Sequence, residues 1–397
     1  MIKKLLLVLA TLSLLIPVVA CGTQDAETET IEIGCVLELT GPLGHMGEMM
    51  LDGARMAVED VNAAGGVLGK DLELLVEDGA TDGATGFDRV KKLVEINEVQ
   101  AIVGPMITPT SELAMPYAKV HKIPLMTMSA TGVPLSEIDG VPVDGTEWYF
   151  RTCLRDDAQS MVLADVVMDS NYTRLATIVL DNTYGIGLET GIVDALEAAS
   201  YQFEHVASIH YDMTKMDYRT ELGVIRDSDP DVVLAVTYGD DGIIVFKQAL
   251  EMGLDEIAWL GCDGNYGSAL FAEPSSAEFM EKAIVAGTRT VGLGTLYAQF
   301  VDDYTEKYGV APETYCDTIY DAVWAIAKAI EAAGVYEGEA IKDALVELEF
   351  DGVTGPIAFN ELGDRTAGAF EIWEVVTDNT TATGYNNAPI EVVTWSM

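Results

Sequence analysis

Every second residue between positions 31 and 39 is apolar, and Cys35 lies on the apolar side of this stretch. Because successive side chains of a β-strand point to opposite faces, this alternation predicts a half-buried strand. From about residue 47 to 63 the apolar residues recur instead every three or four positions. That spacing is typical of an amphipathic helix, and Gly65 and Gly66 mark its end.

The same succession of strand and helix repeats along the chain. Short apolar runs bounded by turn residues alternate with helical patterns, which indicates an α/β fold with parallel sheets covered on both faces. A second series begins after Arg151 and predicts a second wound sheet. Beyond Thr377 we find no periodicity and predict an irregular edge or tail. The predicted strands are 31–39, 72–77, 101–104, 124–128, 175–180, 231–236, 257–261, 353–359 and 369–376, and the predicted helices are 47–63, 86–96, one from residue 110, 187–199, 242–252 and 317–333.

The first residues have the pattern of an export signal. Lys3 and Lys4 precede an apolar run that ends at Val19, and small residues follow up to Cys21. The run is shorter than the ~20 apolar residues of a membrane span. We predict a signal peptide over residues 1–20 and a polar tether over 21–30. An ordinary secretory signal remains the alternative to lipidation at Cys21.

Charge and length limit the possible functions. Lys plus Arg number 22 and Asp plus Glu number 65, which gives a net charge of −43 spread through the chain. No basic stripe is available to neutralise phosphates, so the sequence argues against nucleic-acid binding. Self-repulsion of this size favours solubility over compactness, and the acidic surface is of the kind found in saline surroundings. We expect a monomer. Removing residues 1–20 leaves 397 − 20 = 377 residues, enough for two lobes.

The remaining cysteines do not indicate a metal site. Cys35, Cys153, Cys262 and Cys316 lack the CxxC spacing of zinc or thioredoxin sites. Disulfides are chemically permitted outside the cytoplasm, and four cysteines allow three pairings. Cys35 is predicted to be a buried thiol because it lies on the apolar side of a strand.

Hydroxyl groups follow two predicted strands of the first series. Thr108 stands before Pro109, a residue favoured at the start of a helix, and is a predicted N-cap. Ser129 and Thr131 follow the next strand. Ligands bind beyond the carboxyl ends of strands in open α/β sheets. These three residues, with free N–H groups of a helix start, are therefore candidates for binding a carboxylate.

The second series contributes an acid and two aromatic residues at equivalent positions. Tyr184, Tyr238 and Asp263 each come just after a predicted strand. Asp263 is a candidate partner for an ammonium group, and the tyrosines for excluding water. Hydroxyl donors in one lobe and a carboxylate in the other suit a zwitterion, so the predicted ligand class is an amino acid.

The chain resembles the leucine/isoleucine/valine-binding family of substrate-binding lipoproteins that serve ATP-driven importers. The resemblance covers nearly all of the chain beyond the signal peptide and implies two Rossmann-like lobes, joined by three hinge strands that close on the ligand. It implies crossings near 149–153, 286–290 and 352–355. The motifs that carry it are Gly41-Pro42, the residues 61–66, Val103-Gly104-Pro105, Ser129-Ala130-Thr131, the residues 149–152, the residues 181–185 and the residues 352–359.

The resemblance also implies roles for single residues. The ligand carboxylate would meet Thr108, Ser129 and Thr131, and its ammonium would meet Asp263 and Tyr238, with Tyr184 covering it. The ligand side chain would contact Met46, Met106, Ile107 and Tyr315. The implied lobes are 31–150 with 289–351, and 151–288 with 352–397. The implied partners are an ABC permease and its ATPase, without a cofactor.

Two departures from the family pattern leave the ligand open. Met46 stands where family members often have an aromatic residue, and Asp263 where the branched-chain binders have a longer acid. Another amino acid, an amide or a urea-like ligand therefore remains an alternative, and so does a sensor that signals by the same closure.

Enzyme and nucleotide motifs are incomplete. Gly185, Gly187 and Gly191 imitate a dinucleotide fingerprint, but the third glycine is one place late. The stretch 65–70 is likewise one residue short of a P-loop. Residues 227–231 alternate aspartates like a calcium loop but lack its glycine and distant glutamate. We therefore predict a binding protein and not an oxidoreductase or other enzyme.

Overall fold

The computed structural model describes residues 30–138 and 140–397. The predicted signal peptide, the lipidation at Cys21 and nearly all of the tether lie outside the described residues. Among the described residues, no helix combines the length and the apolar character that crossing a membrane requires.

The first half of the chain builds a five-stranded parallel sheet with the order β2-β1-β3-β4-β7. Its elements, with the helix that follows it, are β1 (Thr30–Leu37), α1 (Gly44–Ala63), β2 (Asp71–Asp78), α2 (Gly83–Glu95), β3 (Ile102–Val103), α3 (Thr108–His121), β4 (Leu125–Thr127), a small hairpin of β5 (Glu137–Ile138) and β6 (Val141–Pro142), β7 (Tyr149–Arg151) and α4 (Asp156–Asp169).

The second half builds a seven-stranded sheet with the order β16-β15-β12-β11-β10-β8-β9. The strands from β8 to β12 run parallel, and β15 and β16 are antiparallel additions at one edge. The elements are β8 (Arg174–Leu180), α5 (Thr183–Ala198), β9 (Glu204–Tyr211), α6 (Arg219–Asp227), β10 (Val232–Val236), α7 (Gly239–Glu251), β11 (Ala258–Leu260), α8 (Pro274–Ala283), β12 (Ile284–Val291), α9 (Gly294–Tyr308), α10 (Cys316–Ala333), α11 (Gly338–Val346), a hairpin of β13 (Phe350–Gly352) and β14 (Gly355–Ile357), β15 (Ala367–Thr377) and β16 (Tyr385–Ser396).

The alternation in β1 places its side chains in two separate cores. Ile33 and Cys35 pack in the core that includes α1 and α10, whereas Val36 packs in the core that includes α2 and α3. Helices therefore cover both faces of the first sheet, as the sequence predicts for a parallel sheet. All four cysteines of the described residues are buried free thiols, which confirms the prediction for Cys35.

Two sequence-based expectations were wrong. The residues after Thr377 are not irregular, because 385–396 form the long strand β16. A register shift opposite Ile372 and Trp373, next to Pro389, resets the alternation and hides its period. The predicted strand over 353–359 is instead a short hairpin. Strand β12 runs from Ile284 to Val291 and passes through the crossing expected near 286–290.

A buried ion-pair network ties the segment after β7 to the segment before β15. Asp364 lies 2.6 Å from Arg151 Nε and 2.9 Å from an Arg155 nitrogen, and it accepts a 2.6 Å hydrogen bond from Ser136. The Arg151 and Asp364 side chains are fully buried. Arg151 and Arg155, with the Ser136 hydroxyl, hold the pKa of Asp364 below its ordinary value despite its burial.

We expect Asp364→Ala to destabilise the protein by about 3–5 kcal/mol, because it leaves a buried arginine charge without a partner. Urea unfolding of variant and parent measures the difference. Glu361→Ala is the control, since this side chain is exposed, and its effect should stay within about 0.5 kcal/mol. Equal losses for both variants would contradict the role of the network.

Glu38 directly follows β1 and is a buried acid without a cation beside it. Its carboxylate accepts the Thr81 N–H, and a Cβ on Gly79 would lie 2.5 Å from Glu38 Oε2. Burial raises the pKa of Glu38 to about 7, and the charges of Asp78 and Asp82 add to this. The folded protein therefore holds a proton here that the unfolded chain has released at neutral pH.

Stability contributed by Glu38 should fall as the pH rises from about 4.5 to about 7 and stay constant above, because its pKa is raised in the folded state. The loss amounts to about 3 kcal/mol at 1.36 kcal/mol per pKa unit. Glu38→Gln should be more stable than the parent near pH 8 and alike near pH 4, as measured by urea unfolding at both values. Glu32→Gln, on the exposed side of β1, is the control. An unchanged pH profile in Glu38→Gln would refute the assignment.

Candidate functional site

A narrow cavity of about 30 Å³ lies where strand ends of the two sheets face each other. Ligand pockets usually measure about 300–1,000 Å³. The cavity has walls from both halves of the chain. Its lining residues are Leu43, Met46, Met106, Ile107, Thr108, Ser129, Tyr184, Tyr238, Asp263, Gly264 and Tyr315.

Nine of the ten predicted ligand-binding residues line this one cavity, and Thr131 is the exception. Thr131 is buried, and its backbone carbonyl accepts the Asp156 N–H at 3.0 Å. Thr131 is not among the residues that line the cavity. The role of all ten as ligand contacts stays a prediction.

Asp263 begins a short helical turn after β11, and its carboxylate is buried among neutral donors. Oδ1 accepts hydrogen bonds from Tyr184 Oη at 2.9 Å and Gln159 Nε2 at 2.8 Å, and Oδ2 accepts one from Tyr315 Oη at 2.7 Å. These bonds orient the acid at the cavity wall. Burial still outweighs them and raises the pKa of Asp263 above its ordinary value.

Gln159 on α4 is a site residue that the sequence reasoning missed. Its Nε2 also donates to Asp156 at 3.3 Å, and its Oε1 accepts from the Asp263 N–H at 3.2 Å and the Thr288 hydroxyl at 2.8 Å. It thereby joins α4, the Asp263 turn and β12. The sequence feature that could have identified Gln159 is its position three residues after Asp156, which places both side chains on the same face of a helix.

Asp156 is a second buried acid beside Asp263. Burial raises its pKa well above the ordinary value, and the charge of Asp263 raises it further. Two carboxylates that are bridged by one amide nitrogen repel each other when both are ionised. Asp156 is therefore the acid that keeps a proton most readily.

The two predicted tyrosines stack on each other. The Tyr184 and Tyr238 ring centroids are 5.7 Å apart and their planes are 9° from parallel. Tyr184 is in the first turn of α5, and Tyr238 is the N-cap of α7. Gly264 keeps this contact possible, because a Cβ there would lie 2.8 Å from Tyr184 Oη and 2.6 Å from the Thr237 carbonyl.

Thr108 and Ser129 form the opposite wall. Helix α3 begins at Thr108, so the N-cap position belongs to Ile107 and the N-cap prediction for Thr108 was wrong by one residue. Helix ends vary by a residue because capping depends on backbone angles that the sequence does not show. Thr108 Oγ1 accepts the Gly132 N–H at 3.4 Å, and Ser129 Oγ donates to the Met106 carbonyl at 2.8 Å.

Tyr315 has the backbone angle φ +68°, which is unfavourable for a residue with a side chain. It is the N-cap of α10, and its hydroxyl bond to Asp263 holds the ring at the cavity. Strained residues of this kind occur at functional sites, where surrounding contacts fix them. Together with Met46, Met106 and Ile107 it gives the cavity an apolar side.

The arrangement offers no metal or nucleotide chemistry in the part of the chain that the structure describes. No group of three or more His, Cys, Asp or Glu side chains there is placed to hold a metal ion. Tyr184 occupies the turn at which a dinucleotide would approach α5, and Gly191 instead allows close packing on Ser160 of α4. What remains is a cavity with hydroxyls on one wall and an acid on the other.

Comparison with known proteins identifies the family to which this chain belongs. The family model described as "Periplasmic binding protein" matches residues 30–380. The leucine-, isoleucine-, valine-, threonine-, and alanine-binding protein of Pseudomonas aeruginosa is 25% identical over 364 residues, which is 89% of this chain and 92% of that protein.

Two solved structures have the same fold. The branched-chain amino acid transporter substrate binding protein LivJ from Streptococcus pneumoniae, in complex with isoleucine, has a TM-score of 0.78 at 24% identity, covering 93% of this chain and 100% of that one. A solute binding protein of an ABC transporter from R. palustris, in complex with 4-hydroxybenzoate, has a TM-score of 0.77 at 18% identity, covering 92% and 97%. The chain belongs to the periplasmic binding protein family of solute-binding proteins and is not an enzyme.

Proposed function

We propose that this protein captures an amino acid outside the cytoplasm and delivers it to the permease of an ABC importer. The observation that carries the proposal is the pairing of walls in one cavity: Thr108 and Ser129 face Asp263 and its tyrosines. An amino acid has a carboxylate for the first wall and an ammonium for the second. The relatives named for branched-chain amino acids support this ligand class.

Binding proceeds by closure of two lobes. We propose that residues 31–150 and 289–351 form one lobe and residues 151–288 and 352–397 the other. The cavity is too small for a ligand unless the lobes first separate. Closure then places both charged ends of the ligand against their walls and removes water.

The apolar side of the cavity recognises the ligand side chain. Met46, Met106 and Ile107 offer flexible and aliphatic contact surfaces, and methionine adapts to irregular shapes. These residues favour an aliphatic side chain such as that of leucine, isoleucine or valine.

A carboxylic acid without an amine is the second candidate ligand, because the R. palustris relative was solved with 4-hydroxybenzoate. Such a ligand would use the hydroxyl wall alone. It would also leave the Asp263 carboxylate paired only with Tyr184, Tyr315 and Gln159.

We expect Asp263→Asn to weaken amino-acid binding by at least about 2 kcal/mol, roughly 30-fold in Kd, because a buried ammonium loses its counter-charge. Calorimetry with leucine, isoleucine, valine, threonine and alanine measures this, after a thermal-shift screen identifies which of them raises the Tm. Asp181→Asn is the matched control, since Asp181 stands at a neighbouring strand end but is exposed.

The possible outcomes distinguish an error in the proposed ligand class from an error in the role proposed for Asp263. If an amino acid binds equally to parent and Asp263→Asn, the ammonium does not meet Asp263. If 4-hydroxybenzoate raises the Tm and no amino acid does, the ligand is an acid without an amine. In both cases the membership in the binding-protein family stands.

We further propose that the protein is a lipoprotein held at the outer face of the cytoplasmic membrane. The support comes from the sequence 1–21, in which an apolar run ends in small residues and Cys21. An acylated residue 21 followed by a polar tether would keep the binding domain close to its permease. Two or more acyl chains suffice for stable anchoring.

Cys21→Ser is expected to move the protein from the membrane fraction to the soluble extracytoplasmic fraction when it is expressed in its natural host or a related one. Fractionation and mass spectrometry of the N-terminal peptide measure this, and Cys35→Ser, at a buried thiol of β1, is the control that should remain with the membrane. A parent protein whose N-terminal peptide carries no lipid would refute the anchor without affecting the proposed ligand.

A further inference from the structure

The outer edge of β16 is a long strand edge with no neighbouring strand among the described residues. β16 pairs with β15 on one side and ends the order of the seven-stranded sheet on the other. The N–H of Met397 donates to the Thr366 carbonyl at 2.9 Å. Since hydrogen-bonding direction alternates along an antiparallel strand, the N–H and C=O groups of Val392, Thr394 and Ser396 point away from β15.

This edge lacks the charge that characterises the rest of the molecule. Glu391 is the one charged residue between positions 379 and 397, in a chain whose net charge is −43. Ile390 is 50% exposed and Val392 41% exposed. Proteins usually block such edges with lysines, other charges or proline. Here Pro389 and the register shift at Ile390 interrupt the pairing with β15, and residues 391–396 form the regular part of the open edge.

We propose that, in contrast to the monomer expected from the sequence, two copies of this protein associate through this edge, with β16 of one copy pairing antiparallel to β16 of the other. Repulsion between two strongly acidic surfaces opposes contact elsewhere, which favours the uncharged edge as the contact. An antiparallel pair of identical strands is also self-complementary, as a two-fold interface requires.

The register of this pairing follows from the main-chain N–H and C=O groups of β16 that point away from β15. A two-fold axis at Val393 sets Val392 opposite Thr394 of the second copy and Thr394 opposite Val392 of the second copy. Each of these pairs exchanges main-chain hydrogen bonds. Glu391 then faces Trp395 of the second copy, so the two glutamates are not directly opposed, which avoids an unfavourable like-charge pair.

The salt dependence of the dimer should show whether ion pairs hold it together. Added salt screens the repulsion between the two acidic bodies, because the Debye length falls from about 10 Å at 0.1 M to about 3 Å at 1 M. It leaves main-chain hydrogen bonds and apolar contacts in place. We therefore expect the dimer to strengthen as salt increases, whereas a dimer held by ion pairs would weaken.

Sedimentation velocity over a range of protein and sodium chloride concentrations tests the proposal. The full chain carries Cys21→Ser so that no acyl chain can associate the molecules. We expect a monomer–dimer equilibrium whose dissociation constant falls at least tenfold between low and high salt. A monomer under all conditions, or a dimer that salt dissociates, would overturn the proposal.

Two variants locate the contact. Thr394→Pro removes one outward N–H without touching the bonds to β15, and Thr394→Val is its control, which keeps both the amide and a β-branched side chain. We expect Thr394→Pro to weaken the dimer at least tenfold and Thr394→Val to leave it unchanged. Val392→Glu adds a charge to the edge and serves if the proline variant does not fold, as judged by circular dichroism. A dimer that survives both substitutions uses another surface.

Hydrogen exchange distinguishes the second copy from other occupants of the edge. The amides of Val392 and Thr394 should be protected only at concentrations at which the dimer forms. Protection in the monomer would mean that a segment of the same chain covers β16, and would overturn the proposal.

Discussion

The buried carboxylate of Asp263 imposes the strongest constraint on the architecture of the cavity. A carboxylate removed from water requires hydrogen-bond donors, and Tyr184, Tyr315 and Gln159 supply them from α5, the start of α10 and α4. Each of these helices packs on one of the two sheets. The hydrogen bonds to the Asp263 carboxylate therefore constrain the positions of all three helices. The positive φ of Tyr315 and the absence of a side chain at Gly264 follow from the same demand.

Buried charged side chains also hold the chain segments that connect the two sheets. Asp364 binds Arg151 and Arg155, while Arg365 donates to the carbonyls of Thr152 and Thr354 at 2.9 and 2.7 Å. These contacts lie beside the residues at which the chain passes from one sheet to the other. A hinge needs stiff ends if bending is to be confined to a few residues, and buried guanidinium groups with several acceptors provide that stiffness.

Acidity has opposite consequences inside and outside this protein. On the surface, a net charge of −43 keeps molecules apart and makes neutral surfaces the ones available for association. Inside the protein, Asp364 is a buried acid with arginine partners, and its pKa is lowered. Burial instead raises the pKa of Glu38 and of Asp156.

The sequence alone determined the α/β class, the two series of strands and the strand-end position of most cavity residues, because periodicity and turn residues are local properties. It did not reveal β16, since a register shift next to Pro389 resets the alternation, nor the helices α4, α6, α8, α9 and α11. Only the tertiary structure decided that Gln159 contacts Asp263 and that Thr131 is not among the residues lining the cavity. Contacts between residues about 100 positions apart depend on how sheets and helices pack, and side-chain spacing along the chain carries no record of that packing.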